Sequence, residues 1–270
     1  MKKKMIALDL DGTLLNNQSQ LSDYTIQTIQ NVKNAGHTVI IATGRPYRMA
    51  HQFYQQLGLD TPMINFNGSL VHIPEKKWQW EQNILINKQY LIDFLKYKEQ
   101  FQAIFIAGEY KNKFFITQDH LNEIHPSLMG VEQITPDTLI KPELITSDPH
   151  SILMHTRADD RHELAKEMRT LFKNELEINT WGGPLSILET CAKGVTKASA
   201  LKYLLDHYQA EAADLIAFGD EHNDVQMLQL ARTGYAMKNA SDTLIPHADR
   251  MTEFTNDQDG VARELERLFL

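Results

Sequence analysis

Met5-Ile6-Ala7-Leu8-Asp9-Leu10-Asp11-Gly12-Thr13 is the stretch whose reading decides the fold. Four apolar residues run without polar alternation into two carboxylates at i and i+2. Such a run reads as a parallel strand covered on both faces, and parallel strands present their chemistry at the carboxyl end. Gly12 lets the backbone turn sharply there, and Thr13 adds a hydroxyl and an N–H beside the acids. Asp-x-Asp-Gly is also an ordinary turn, because Asp bonds its own backbone and Gly accepts positive φ. A calcium loop does not fit: it needs a ligand at every second position and a closing Glu, whereas Leu14 and Leu15 follow.

Outward from this stretch, apolar spacing predicts a helix over 23–35 closed by Gly36, and a buried strand over 38–42 that runs into Thr43-Gly44-Arg45-Pro46. A helix over 46–57 and a third strand over 62–66, ending at Asn67-Gly68, follow. Strand, helix, strand, helix, strand is the rhythm of a doubly wound α/β domain with a mostly parallel sheet. The rhythm then changes. A hairpin of 70–73 with 78–84, a helix over 90–99, a hairpin of 103–107 with 114–117, a looser stretch over 120–149, a strand over 151–156, a helix over 160–172 and a strand over 176–180 read as an α+β unit with an antiparallel sheet. The α/β pattern resumes with a helix over 197–207 and a strand over 214–218. Gly219-Asp220-Glu221-His222-Asn223-Asp224 comes next, then a helix through Met227, Leu228 and Leu230, a short strand over 235–237 and a helix from Asp259. The expected organisation is a core of residues 1–84 and 188–270 with an inserted domain, 85–187.

The 270 residues are 42% hydrophobic and 23% charged, as in ordinary globular chains, and are enough for one large domain or two. The single Cys191 excludes an internal disulfide, and no Cys/His cluster has zinc spacing, so a reducing compartment, the cytoplasm, is expected. Met1-Lys2-Lys3-Lys4 opens like a signal peptide, but too few apolar residues precede Asp9 for an h-region or a membrane span. A net charge of −8 argues against broad nucleic-acid binding. It leaves room for a small anionic substrate, because a metal ion and a lysine reverse the field inside a cleft. Oligomeric state is not legible.

Asp9-x-Asp11, Thr43-Gly44, Lys197 and Asp220 with Asn223-Asp224 all fall at strand ends or helix starts that a parallel sheet brings to one rim. Carboxylates held close together repel and need a cation or a shared proton. Oxygen-only ligands favour magnesium over zinc, and magnesium keeps positions open for water and a phosphate oxygen. Phosphoryl transfer fits this set. Asp9 suits the nucleophile of an aspartyl-phosphate, and Asp11 the acid that protonates the leaving alcohol and then activates water. Thr43 offers its hydroxyl and N–H to phosphate oxygens, Gly44 permits close approach, Lys197 offsets charge and Asp220 is a metal ligand.

These motifs, in this order and spanning nearly the whole chain, resemble the haloacid dehalogenase superfamily of phosphatases, and within it the Cof-type group with a C2-type cap. The matches are Asp9-Leu10-Asp11-Gly12-Thr13, Thr43-Gly44-Arg45, Gly194-Val195-Thr196-Lys197 and Gly219-Asp220-Glu221-His222-Asn223-Asp224. The resemblance implies that Asp11 ligates magnesium through its backbone carbonyl, that the Leu10 amide and the Asn223 side chain touch phosphate, and that Asp224 supports the metal shell. It also implies that the cap supplies specificity. Asn67-Gly68 and Asn239-Ala240 look like family features, whereas Ala198 and Lys238 stand where glycines are expected.

Arg45 reads as structural, and Thr43 as a residue that also caps the following helix. His155, His222 and Cys191 show no partner pattern. Trp181-Gly182-Gly183-Pro184, expected where the cap returns to the core, reads either as an ordinary turn with a core tryptophan or as a wall of the leaving-group pocket. The expected activity is hydrolysis of small phosphate monoesters such as sugar phosphates. A phosphomutase ranks below it, because Arg157, Arg161 and Arg169 are the only cap arginines available for a second phosphate. A non-catalytic phospholigand sensor ranks lower still, because the acid and lysine set is intact.

Overall fold

A computed structural model of the chain describes residues 2–182 and 185–270, so Gly183 and Pro184 of the tryptophan turn lie outside the described residues. Two compact units are formed. The first runs up to Arg45 and adds Ala50–Gln82 and Thr196–Leu270; the second comprises Pro46–Met49 and Asn83–Val195.

The chain opens with β1 (Met5–Leu8), α1 (Asp23–Asn34), β2 (Thr38–Ile41), α2 (Tyr47–Gln56), β3 (Met63–Asn65), β4 (Leu70–His72) and β5 (Gln82–Asn83). The middle of the chain holds α3 (Lys88–Lys96), β6 (Ala103–Glu109), β7 (Phe114–Ile116), β8 (Ser151–Thr156), α4 (Arg161–Leu171), β9 (Leu176–Thr180) and β10 (Ile187–Ala192). The first unit then resumes with α5 (Lys197–His207), β11 (Leu215–Gly219), α6 (Val225–Leu230), β12 (Thr233–Ala236), β13 (Arg250–Met251) and α7 (Gly260–Phe269).

In the first unit a five-stranded, all-parallel sheet has the order β13-β12-β11-β1-β2, the doubly wound α/β architecture. All four residues of β1 are buried. Met5 and Ala7 pack with Leu201, Leu204 and Leu205 of α5 and Met227 and Leu228 of α6. Ile6 and Leu8, which alternate to the other face, are fully buried as well, and α1 and α7 pack against each other. Burying each of the Met, Ile and Leu side chains contributes about 1.5–3 kcal/mol, which is why a strand with no polar alternation is stable only at the centre of a layered unit. The third strand keeps the expected direction beside β2, through the parallel Ala42–Ile64 bridge and a Thr43 N–H to Ile64 carbonyl bond of 3.0 Å, and on its other side it pairs antiparallel with β4. The tight turn Phe66–Gly68 reverses the chain at that point. β5 is also shorter than the expected 78–84.

The second unit is built on an antiparallel sheet of order β7-β6-β8-β10-β9. Leu91 and Phe94 of α3 and Leu164, Ala165 and Met168 of α4 cover one face, on Ile106, Ile152, Met154, Ile178 and Leu188. Phe105, Ala107 and Leu153 line the other. Residues 46–49 group with this unit because Arg48 donates to both oxygens of the buried Glu109, at 2.6 and 2.8 Å, and to the Met129 carbonyl. Strand β10 was not foreseen. Its Glu189 and Thr190 break the apolar pattern, yet both are buried, and Glu189 accepts the Trp181 indole N–H at 3.1 Å. The tryptophan turn therefore joins β9 to β10 inside one sheet, and is not the return to the core. That return follows Ala192, beyond the expected boundary at 187 and 188. Among the described residues, no helix is long and apolar enough to cross a membrane.

Candidate active site

Leu8, Ile41 and Phe218 stand level in the register of β1, β2 and β11. The residues just beyond them therefore share one rim, and Asp9 N–H extends the ladder to the Phe218 carbonyl. Lys197 is the first residue of α5, after an N-cap Thr196 whose hydroxyl accepts the Ser199 N–H. A lysine there opposes the helix dipole, and this one is 1% exposed. Two carboxylates account for it: Nζ lies 2.6 Å from Asp9 Oδ1 and 2.6 Å from Asp224 Oδ1. Gly68, at φ +115°, lets the Phe66–Gly68 turn approach this helix start, since a Cβ there would stand 2.5 Å from the Thr196 carbonyl oxygen.

Carboxylate oxygens of Asp9, Asp220 and Asp224 lie within 4.8 Å of one another. Each such pair repels by about 3–4 kcal/mol at an effective dielectric near 20. Burial pushes the Asp9 carboxyl up to about 7 against the pull of Lys197. Burial, then Asp9 and Asp224, push Asp220 up to about 8. Burial opposes the charge on Lys197, but Asp224 and Asp9 overcome it and raise the ammonium above its usual range. Once all three carboxyls are ionised, they and one ammonium leave two surplus negative charges on oxygen-only donors, a set that fits a hard divalent cation. Gly12, at φ +68°, seats the turn against this cluster, where a Cβ would fall 2.2 Å from Asp220 Oδ2. Thr13 Oγ1 donates to Asp220 Oδ1 at 2.8 Å.

The structure thus brings Asp9, Lys197, Asp220 and Asp224 together. It does not bring the Asp11 carboxyl into the cluster: Arg45 Nε donates to its Oδ2 at 2.7 Å and Nη2 bonds its Oδ1, on the exposed side of the turn. Leu10 is fully buried in that turn, and the Leu15 N–H closes onto its carbonyl at 2.9 Å. Thr43 is buried, its hydroxyl accepting the Arg45 N–H at 3.1 Å. Gly44 lies against the Asn67 carboxamide, where a Cβ would stand 3.2 Å from Nδ2. Asn67 N–H donates to the Thr43 carbonyl and Asn67 Oδ1 accepts from Asn223 Nδ2 at 3.0 Å, which ties the second motif to the fourth.

Sequence reasoning missed several partners. Arg45 as partner of Asp11 carried no signal beyond its place after Thr43-Gly44. Thr13 as donor to Asp220, and Asn239 as donor to the Gly12 carbonyl at 2.7 Å, were visible only as members of their motifs. Ala198 is buried in the first turn of α5, and the exposed Lys238 donates its backbone N–H to Thr252 Oγ1. His155 packs edge-on to Phe105, His222 stands beside Glu221, and Cys191 is buried in β10.

A model of haloacid dehalogenase-like hydrolases matches residues 6–265. The chain is 33% identical over 268 residues to the 5-amino-6-(5-phospho-D-ribitylamino)uracil phosphatase YitU of Bacillus subtilis, covering 99% of this chain and 98% of that one. It is 27% identical over 264 residues to the pyridoxal phosphate phosphatase YbhA of Escherichia coli, covering 92% and 93%. The crystal structure of a haloacid dehalogenase-like hydrolase from Bacteroides thetaiotaomicron shares the fold with a TM-score of 0.84 at 25% identity, over 99% of this chain and 100% of that one.

Proposed function

Because the chain belongs to the haloacid dehalogenase-like hydrolase family and is a phosphoric monoester hydrolase, we propose that it is a magnesium-dependent phosphatase of small phosphorylated metabolites that works through an aspartyl-phosphate on Asp9. The observation that carries this reading is the buried Asp9–Lys197–Asp224 arrangement, with Asp220 beside it and two negative charges in surplus. Asp9 and Asp220 side chains and the Asp11 carbonyl would hold the ion, with Asp224 behind them; when bound, it neutralises charge on the phosphate and the attacking carboxylate.

In the first step an Asp9 oxygen bonds to phosphorus as the ester P–O bond breaks, and Asp11 gives its proton to the departing oxygen. This requires the Asp11 carboxyl to exchange its Arg45 contact for the leaving oxygen. In the second step water attacks phosphorus and passes a proton to Asp11, and the bond to Asp9 breaks to release phosphate. Lys197 keeps Asp9 oriented and charged, while the Leu10 amide, Thr43, Gly44 and Asn223 bind the phosphate oxygens.

Hydrolysis is favoured over transfer to a second sugar phosphate because the cap arginines are engaged. Arg157 bonds both oxygens of Glu123, Arg161 donates to the Leu185 carbonyl, and Arg169 donates to the Ile178 carbonyl. The test is phosphate release from a panel containing 5-amino-6-(5-phospho-D-ribitylamino)uracil, pyridoxal phosphate, hexose phosphates and an aryl phosphate, with magnesium and with chelator. The wild type should turn over at least one ester only with the ion, and Asp9→Asn should be inactive. An Asp9→Asn variant with near-normal turnover of the aryl phosphate would defeat the mechanism.

A further inference from the structure

The turn carrying Asp9 and Asp11 is gripped from outside by two asparagine side chains that the chemistry above does not use. Asn239 Nδ2 donates to the Gly12 carbonyl at 2.7 Å, and Asn239 Oδ1 accepts the Asn256 backbone N–H at 2.9 Å. Asn256 Nδ2 donates to the Leu15 carbonyl at 2.9 Å and to Asn17 Oδ1 at 3.1 Å. Asn17 closes the circuit, its backbone N–H donating to Asp257 Oδ1 at 2.7 Å and its carboxamide to Asp257 Oδ2. Residues 12, 15 and 17 are thus held at three points by the connections that leave β12 and β13.

We propose that Asn239 and Asn256 act as a carboxamide clamp: positioning residues that fix the catalytic turn against Asp220. Each uses its side chain in a way that only a carboxamide permits. Asn239 gives a hydrogen bond at one end and takes one at the other, and Asn256 must donate twice from one nitrogen. A carboxylate of the same shape would set an oxygen against the Gly12 or the Leu15 carbonyl. The clamp acts where placement matters most. Gly12 sits in the left-handed region with no room for a Cβ beside Asp220 Oδ2, and the neighbouring Thr13 hydroxyl bonds Asp220 Oδ1. A shift of the Gly12 carbonyl therefore moves the turn relative to its acid partner. The two residues differ in burial: Asn256 is 6% exposed, whereas Asn239 is solvent-exposed. Loss of the Asn239 bond should cost little global stability, so its effect on the turn is separable from folding.

The consequence for rate rests on the phosphatase reading; the consequence for the turn does not. The experiment uses the full chain as wild type, Asn239→Asp, Asn239→Ala and Asn256→Asp. It combines aryl phosphate kinetics in saturating magnesium, magnesium binding by calorimetry, melting temperature, and hydrogen exchange of the peptide covering residues 9–17. A misplacement on the order of 1 Å costs about 10²-fold in rate, so both Asn239 variants should lose roughly 10- to 100-fold in kcat. Their KM should hold within about twofold and their melting temperature should be unchanged, while exchange in the 9–17 peptide rises several-fold. Asn256→Asp should show the same loss with a lower melting temperature; if it does not fold, the Asn239 pair decides alone. Wild-type kcat and unchanged exchange in both Asn239 variants overturn the proposal. If the wild type releases no phosphate from any ester, the phosphatase reading falls, and the clamp stands or falls on exchange and magnesium affinity.

Discussion

Replacing Lys197 with Met removes a buried ammonium while keeping most of the side-chain volume. Asp9 Oδ1 and Asp224 Oδ1 each lose a donor at 2.6 Å, and three carboxylates with oxygens within 4.8 Å lose their internal counter-ion. Removing one partner of a buried pair costs about 3–5 kcal/mol, the same order as the pairwise repulsion released, about 3–4 kcal/mol at an effective dielectric near 20. At roughly 2–4 °C per kcal/mol for a chain of this size, the melting temperature should fall by roughly 6–20 °C in chelator. The pH sign follows from linkage. Lys197 pulls the Asp9 carboxyl down against burial, so without it that carboxyl rises further above about 7. A carboxyl raised on folding binds its proton more tightly in the folded state, so stability falls as pH climbs from the ordinary carboxylate range through the folded value. The deficit should therefore be small near pH 5 and grow as pH climbs past about 7. Turnover should drop about 10²- to 10³-fold, the usual effect of removing one preorganised electrostatic partner. Differential scanning calorimetry at both pH values, with a phosphate-release assay, measures all three. Wild-type melting in chelator near pH 8.5, or a deficit larger at pH 5 than at pH 8.5, refutes the reasoning.

Magnesium should raise the melting temperature more as pH climbs from about 6 to 8.5, because the Asp9 and Asp220 carboxyls, at about 7 and about 8, must release protons to take up the ion; an equal rise at both pH values counts against it. Without the ion the same two groups make the protein less stable over that interval, which fluorimetry in chelator reads directly. Gly12→Ala places a Cβ 2.2 Å from Asp220 Oδ2 at φ +68°, so turnover should fall at least about 10²-fold, with about 1–3 kcal/mol lost from stability. Thr13→Val removes the donor that lowers the Asp220 carboxyl. Its magnesium-activation midpoint should rise roughly five-fold, about the worth of one hydrogen bond, and an unchanged midpoint would place the hydroxyl outside the ion's surroundings.

What was legible in the sequence was legible for one reason. Asp9 and Asp220 each follow an uninterrupted apolar run, and such a run reads as a central parallel strand; Met5–Leu8 and Leu215–Gly219 therefore pointed to both the sheet and the rim where the acids gather. Strand β10 was hidden by the opposite circumstance. Glu189 and Thr190 interrupt its apolar run, yet both are buried, Glu189 with the Trp181 indole N–H among its partners. The turn at Asn67-Gly68 was legible, but the pairing of β3 with β4 across it was not, because the tight reversal also needs left-handed backbone at Phe66, a residue type that does not announce that conformation. Side-chain partners across the site were the least legible. The pairing of Asp11 with Arg45 joins residues 34 positions apart, and Asn239 meets Gly12 across 227, separations at which no local pattern can speak.

Asp224 shows how far geometry can divide roles among acids that the sequence treats alike. Its Oδ1 receives Lys197 at 2.6 Å, and its Oδ2 receives the Asp220 and Glu221 backbone N–H groups at 3.1 and 3.3 Å. Both oxygens are committed, and the residue is fully buried. Asp9 commits only Oδ1, to Lys197, and Asp220 only Oδ1, to Thr13; among the described residues no donor reaches the second oxygen of either. The two uncommitted oxygens belong to the two acids that burial raises to about 7 and about 8. On the proposed reading, a cation would therefore find its best anionic donors at Asp9 and Asp220, where binding would relieve the largest electrostatic cost. Asp224 has little left to offer directly. Its work is to hold the Lys197 ammonium and the Asp220 backbone in place, so that removing its charge should act on the ion through those two neighbours.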